Sequence, residues 1–203
     1  MKNRLKTPIS IEDIKKLKVG DVIYITGELL TARDLAHRRA LKYYNKRKKL
    51  PLEMKNKPIF HCGPLIEREK GKYIIISAGP TTSMRMEMFE DEFIEKFEVR
   101  VIIGKGGMGA RTTAAMMKFG AVYCAFTGGA GVLAKKAIKR VKSVDWLNLG
   151  VPEAIWTLEV EDFGPLVVAI DTYGNNLYEE VAKNVEKNKK MIYHMISSNH
   201  KVL

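Results

Sequence analysis

Three short segments of this 203-residue chain place cations and hydroxyls where the backbone must turn. The first is Gly79-Pro-Thr-Thr-Ser-Met-Arg-Met86. Gly-Pro ends a strand, and Thr81, Thr82 and Ser83 stand at an expected helix start. Arg85 follows Thr81 by four residues, one turn further along the same helical face. Unpaired N–H groups at a helix start favour an anion, and an arginine offers a planar two-pronged donor to a carboxylate. Plain capping by one threonine, with Arg85 on the surface, fits the spacing equally well.

The second segment is Thr31-Ala-Arg-Asp-Leu-Ala-His37. Arg33 and His37 are spaced i, i+4 and Asp34 and His37 i, i+3, so all three share a helical face. Asp34 could orient His37 while Arg33 binds a carboxylate, or the three could form a surface ion-pair patch. The third is Gly104-Lys-Gly-Gly-Met-Gly109, which matches G-x-G-x-x-G after a strand and before a helix. A dinucleotide site also needs an acidic residue at the end of the next strand to hold the ribose. That strand, Ala121–Phe126, is followed by Thr127-Gly-Gly129 with no carboxylate. Two readings remain: a tight turn that needs positive φ, or backbone N–H groups and Lys105 brought up to an anion.

Cys62, Cys124, His37, His61, His194 and His200 show no metal-ligand spacing, so no metal is expected on this chain. Asp171-Thr-Tyr-Gly-Asn-Asn176 follows a strand and reads as a cap for the last helix.

These segments need a scaffold. Strands are expected over 21–27, 57–64, 72–78, 99–103, 121–126, 155–160 and 166–171, the last two around a turn at Asp162-Phe-Gly-Pro165. Helices are expected over 32–46, capped by Thr31, from Thr81 or Thr82 to 97, over 110–119 and 132–141, and from 175 to about 190. The strand–helix alternation in the middle predicts parallel pairing with helical crossovers, hence an α/β domain with a mixed sheet. In such sheets ligands bind at the carboxyl ends of strands, where the loops 79–82, 104–109 and 127–131 fall.

The length suits one domain, residues 1–203. Net charge is +12, and the first 57 residues hold 16 Lys/Arg against 6 Asp/Glu. That balance admits a nucleic-acid, membrane-surface or small-anion partner. A basic nucleic-acid-binding protein is the rival from another class, and the basic run at 42–57 is otherwise a solvated face. Two distant cysteines form no disulfide framework. No apolar run approaches the roughly 18 residues that span a bilayer, and the N-terminus lacks an apolar signal region. A cytoplasmic protein without membrane or nucleic-acid partners is expected.

Taken together, GDVIYITG, TARDLAHRR, IFHCGPL, SAGPTTSMRME, VIIGKGGMG, FGPLVVAID and TYGNNL resemble the β subunit of class I fumarate hydratase and the similar β subunit of L-tartrate dehydratase. The resemblance runs in order from about residue 5 to 180. It implies a swivelling β/β/α domain and a hydro-lyase of the tricarboxylic acid cycle that interconverts fumarate and L-malate. Tartrate dehydration to oxaloacetate is the alternative. It implies an α subunit that carries a [4Fe-4S] cluster, no cluster ligands on this chain, and no activity from this chain alone. A hetero-oligomer is implied, or a homodimer when the chain is isolated. Carried over by motif, the substrate-binding residues are Arg33, Thr82, Arg85 and Lys105. Thr81 and His37 are the two acid–base candidates, and the sequence does not choose between them.

Overall fold

The structure is a computed structural model that describes residues 2–129 and 131–199. In chain order it runs β1 (Lys2–Lys6), α1 (Ile11–Lys15), β2 (Val22–Thr31), α2 (Asp34–Asn45), β3 (Pro58–Phe60), β4 (Leu65–Glu69) and β5 (Lys72–Ser77). A 3₁₀ turn (Ser83–Met86) precedes α3 (Glu90–Phe97) and β6 (Val101–Gly104). Then come α4 (Ala110–Phe119), β7 (Val122–Ala125), α5 (Gly131–Ala137), β8 (Ile138–Asp145), a 3₁₀ turn (Leu147–Leu149), β9 (Ile155–Ile170) and α6 (Leu177–Asn199).

The main sheet closes on itself. β2, β3, β6 and β7 are parallel neighbours in that order. The 16-residue β9 pairs antiparallel with β7 through Val167–Ile170 and with β2 through 157–167, completing a five-strand ring. β1 lies parallel on the first half of β2, over Val22–Thr26, and β8 lies antiparallel on the first half of β9. Only a strand as long as β9 can serve β7, β8 and β2 at once.

Strand alternation sorts the core into two layers. Leu29, Phe60, Val101, Ile103, Val122, Cys124, Phe163 and Val168 fill one cluster with Ile23 and Ile25. Their neighbours Leu30, Ile59, Ile102, Tyr123 and Ala169 face the other way and pack under α2, α3 and α4 with Phe93, Phe97 and Met116. Each fully buried aromatic such as Phe93 contributes about 2–3 kcal/mol. The expected mixed α/β architecture is what the chain adopts.

Several local expectations are corrected. Residues 155–171 are not two strands about a turn. Asp162 takes φ 48° inside one continuous strand, and the register against β2 shifts nearby. Arg4 and Thr26 bind Asp162 there, so the irregularity is a bulge held by cross-strand partners. The expected helix over 132–141 stops at Ala137, and 138–145 is strand. Ile138, Val141 and Val144 pack on the core while Lys139 and Arg140 pair with Glu161 and Glu159. The strand at 72–77 is not part of the main sheet. It forms a hairpin with β4, a strand that the sequence pattern did not reveal. Thr31 does not cap α2; it is the buried last residue of β2, where its hydroxyl accepts Trp156 N–H at 3.1 Å.

Candidate active site

Because β2, β3, β6 and β7 run parallel, their carboxyl ends share one edge of the barrel. Four segments leave from it: Ala32–Asp34, His61–Gly63, Lys105–Gly107 and Phe126–Thr127. The fifth contributor is the stretch 80–83, laid across that edge by backbone hydrogen bonds. Thr81 N–H donates to His61 O at 2.7 Å, Lys105 N–H to Thr81 O at 3.3 Å, and Ser83 N–H to Lys105 O at 2.9 Å. Single bridges tie Cys62 to Pro80 and Thr82 to Lys105. Arg33, Thr81, Thr82, Arg85 and Lys105 are thereby gathered onto one edge from three distant parts of the sequence.

The cations differ in how they are held. Arg33 precedes α2, and its Nε lies 3.2 Å from Glu153 Oε1. The other Glu153 oxygen accepts Leu35 N–H at 2.9 Å, so one carboxylate fixes the arginine and caps the helix. A Cβ at Gly63 would lie 2.6 Å from Arg33 Nη1, so the guanidinium rests directly on that glycine. Arg85 is half exposed; its Nε donates to Asp34 Oδ1, and its Nη2 lies at ion-pair distance from Oδ2. Lys105 is exposed and makes no ion pair among the described residues. Its Nζ would lie 3.9 Å from a Cβ at Gly128, so it leans over the loop after β7. The edge is open. Grooves of about 540 Å³ beside β5 and β8 and about 660 Å³ beside Glu28 lie elsewhere, and neither is lined by these residues.

The helix-start readings are corrected. Thr82 makes no side-chain cap, and only a 3₁₀ turn follows it. The N–H groups of Thr81 and Ser83 are spent on His61 and Lys105 and are not offered to an anion. The start of α4 is likewise closed, by Glu87. Its carboxylate accepts Gly109 N–H at 2.7 Å, Arg111 N–H at 3.1 Å, Thr112 N–H at 3.3 Å and the Thr112 hydroxyl at 2.7 Å. The G-x-G-x-x-G run therefore has a packing meaning. Gly106 and Gly107 take φ 77° and 76°, and a Cβ on Gly107 would lie 2.6 Å from the Tyr178 ring. At the other end, Asn176 Oδ1 caps α6 by accepting Tyr178 N–H at 3.0 Å, and Asp171 accepts Val19, Tyr173 and Asn175 N–H groups.

His37 does not reach the edge. Its ring is fully buried behind Arg33, with Nδ1 2.8 Å from Arg33 O and Nε2 3.5 Å from Glu90 Oε2. A ring with no exposed surface cannot touch a molecule bound at this edge, whereas Thr81 lies on the edge itself. His61 approaches the same Glu90 oxygen at 3.3 Å. Burial lowers the pKa of His61. Burial alone would raise Glu90, but the two imidazoles outweigh it and bring the carboxyl down to about 2.

Among the described residues, neither cysteine suits an iron–sulfur cluster. Both cysteines are buried and free. Burial pushes the Cys62 thiol up to about 12 and raises Cys124 as well, whereas a cluster ligand must be a thiolate.

The family model described as Fumarase C-terminus matches residues 2–181. The chain belongs to the fumarase C-terminal family. It is 46% identical over 183 residues to the L(+)-tartrate dehydratase subunit beta of Escherichia coli (strain K12), with 90% of each chain covered. It is 44% identical to the putative L(+)-tartrate dehydratase subunit beta of Methanocaldococcus jannaschii, covering 89% of this chain and 94% of that one. A putative fumarate hydratase class I of Geobacillus stearothermophilus is 40% identical over 181 residues, which is 89% of this chain but 34% of that longer one. Among the described residues, no helix of this fumarase C-terminal chain is long and apolar enough to cross a membrane.

Sequence reasoning missed Glu153, Glu87, Gly63, Glu90 and His61. Glu153 follows a glycine and a proline in an irregular stretch, and nothing in its spacing points across 120 residues to Arg33. His61 was visible within IFHCGPL, but its partners His37 and Glu90 come from α2 and α3.

Proposed function

We propose that this chain is the β-type subunit of a hydro-lyase that interconverts fumarate and L-malate together with a cluster-bearing α-type subunit. The carrying observation is the gathering of Arg33, Thr81, Arg85 and Lys105 on one barrel edge in a chain of the fumarase C-terminal family. The open form of that edge supports a site completed by a partner chain. A C4 dicarboxylate is a dianion, and three cations on one edge match its two carboxylates once a partner excludes water. Lys105 meets the first carboxylate unpaired. Arg33 and Arg85 are already oriented by Glu153 and Asp34, so their side chains lose less freedom on binding.

Thr81 is the residue assigned to the proton at the carbon beside a carboxylate. A threonine hydroxyl is a weak base, and nearby cations are what would stabilise its alkoxide. The [4Fe-4S] cluster, when present on the partner, supplies a Lewis acid for the substrate hydroxyl. No residue of this chain is assigned to it.

L-tartrate is the second reading, favoured by relatives at 46% and 44% identity named as tartrate dehydratase subunits. The two substrates share both carboxylates and differ by one hydroxyl, so the three cations serve either. The deciding experiment assembles both subunits anaerobically and compares kcat/KM for L-malate and L-tartrate. A preference for malate supports the first reading, and a preference for tartrate replaces it with the second. The isolated chain is expected to be inactive, and fumarase activity from it alone refutes the shared-site proposal.

A further inference from the structure

We propose that His37, His61 and Glu90 form a divalent-metal site, a structural ion of the zinc class buried beneath the carboxyl edge of the barrel. All three side chains are fully buried. Nε2 of each histidine and both carboxylate oxygens of Glu90 lack any hydrogen-bond partner. Four unpartnered polar atoms converging in a buried core are destabilising unless something else satisfies them.

The spacing identifies what that is. The two nitrogens lie 3.5 and 3.3 Å from the same carboxylate oxygen, and the three ligand atoms all fall within 4.8 Å of one another. That is long for a hydrogen bond. Ligand atoms about 2.0–2.2 Å from a tetrahedral ion stand roughly 3.3–3.6 Å apart, so the two nitrogen–oxygen edges match an ion between them.

The far side of each ring agrees. His37 Nδ1 faces a backbone carbonyl, Arg33 O, which can only accept. Nδ1 therefore carries the hydrogen, and in that tautomer Nε2 aims a lone pair at a carboxylate. Two lone pairs facing each other call for a cation between them. His61 Nδ1 faces Ser83 Oγ at 2.9 Å, and that oxygen also accepts the Tyr123 hydroxyl at 3.1 Å. An ion at Nε2 requires the tautomer in which His61 Nδ1 donates to Ser83. Metal-bound histidines are commonly oriented this way, through the other ring nitrogen.

Burial gives the site its role. No substrate can reach it, so the ion would be taken up as the chain folds. It would tie α2, α3 and the end of β3 together. Arg33 O is held by His37, and Thr81 N–H by the carbonyl of His61, so the tie lies directly behind the exposed edge. The site stands whether or not the hydro-lyase reading holds.

The test uses the full chain without an affinity tag and does not depend on activity. Unfolded protein is refolded with Zn²⁺, with Co²⁺ or with EDTA, then desalted. One zinc per chain is expected, with two imidazole nitrogens and carboxylate oxygen in the X-ray absorption spectrum. Intense tetrahedral d–d bands are expected for Co²⁺, and a lower melting temperature for the EDTA sample. His61→Ala and Glu90→Gln should each lose the bound ion. If a variant fails to fold, the wild-type Co²⁺ spectrum still decides. Absence of bound metal, with identical melting after zinc and EDTA refolding, overturns the proposal. A buried ion pair between protonated His37 and Glu90 would then hold the cluster, visible as imidazolium ¹⁵N shifts.

Discussion

Arg85 is clamped by Asp34, with Nε 3.2 Å from Oδ1 and Nη2 2.9 Å from Oδ2. The pair joins the 3₁₀ turn to the start of α2 and holds a half-exposed guanidinium in one orientation. In the proposed site, replacing Arg85 by Ala removes a charged donor to the substrate, a contribution of about 1.5–3 kcal/mol. The expected result is a fall of roughly ten- to a hundred-fold in kcat/KM of the assembled enzyme, for malate and tartrate alike. Arg85→Lys keeps the charge but not the fork, and should recover only part of the loss. Unchanged kinetics in Arg85→Ala would remove this residue from the site.

Gly63 carries the Arg33 guanidinium. A methyl group there would stand 2.6 Å from Nη1 and 2.9 Å from both Pro152 Cβ and Pro152 O, so the arginine or the loop must shift. Gly63→Ala should reduce kcat/KM by roughly ten- to a hundred-fold, since small misplacements of a positioning group carry large effects. KM should rise more than kcat falls. Steady-state kinetics with normal values would show that Arg33 finds its place without that floor.

Glu87 closes the start of α4 through four hydrogen bonds. Glu87→Ala leaves three N–H groups and a hydroxyl without their acceptor and should destabilise the fold by about 2 kcal/mol. For a chain of this size that is a melting temperature lower by roughly 4–8 °C. Calorimetry showing no shift would mean that water caps the helix equally well.

Glu28 sits between two lysines. It pairs with Lys142 and, at 2.7 Å, with Lys57. Its hydrogen bond to Lys142, then that to Lys57, holds its carboxyl below the ordinary 4.5. A folded pKa below the unfolded one means that the native state resists protonation. The stability from Glu28 is therefore fully present above about pH 4.5 and disappears as pH falls through the lower folded value. Urea unfolding between pH 6 and 3 should show that loss, and Glu28→Gln should be less stable at pH 6 with a flatter acid limb. Parallel pH curves for the two proteins would contradict it.

Much of the fold was written in local pattern. The strands at 101–104 and 122–125 and the helix at 110–119 follow from β-branched runs, alternation and glycine stops, which are properties of neighbours in sequence. So were the cations of the edge, because Arg33, Arg85 and Lys105 sit in short, composition-marked turns. Tertiary structure decided the rest. The stretch 155–170 contains Gly-Pro and reads as two strands about a turn, yet it is one strand because β2, β7 and β8 all pair with it. Residues 138–141 read as the end of a helix by charge spacing, yet pairing with β9 makes 138–145 a strand. His37 has the spacing of a surface acid–base group. It is buried because α3 packs Phe93 against its ring, 4.2 Å between centroids, and sets Glu90 at its Nε2. Sequence spacing gives which side chains share a helix face; which face is covered depends on elements distant in the chain, and only their packing settles it.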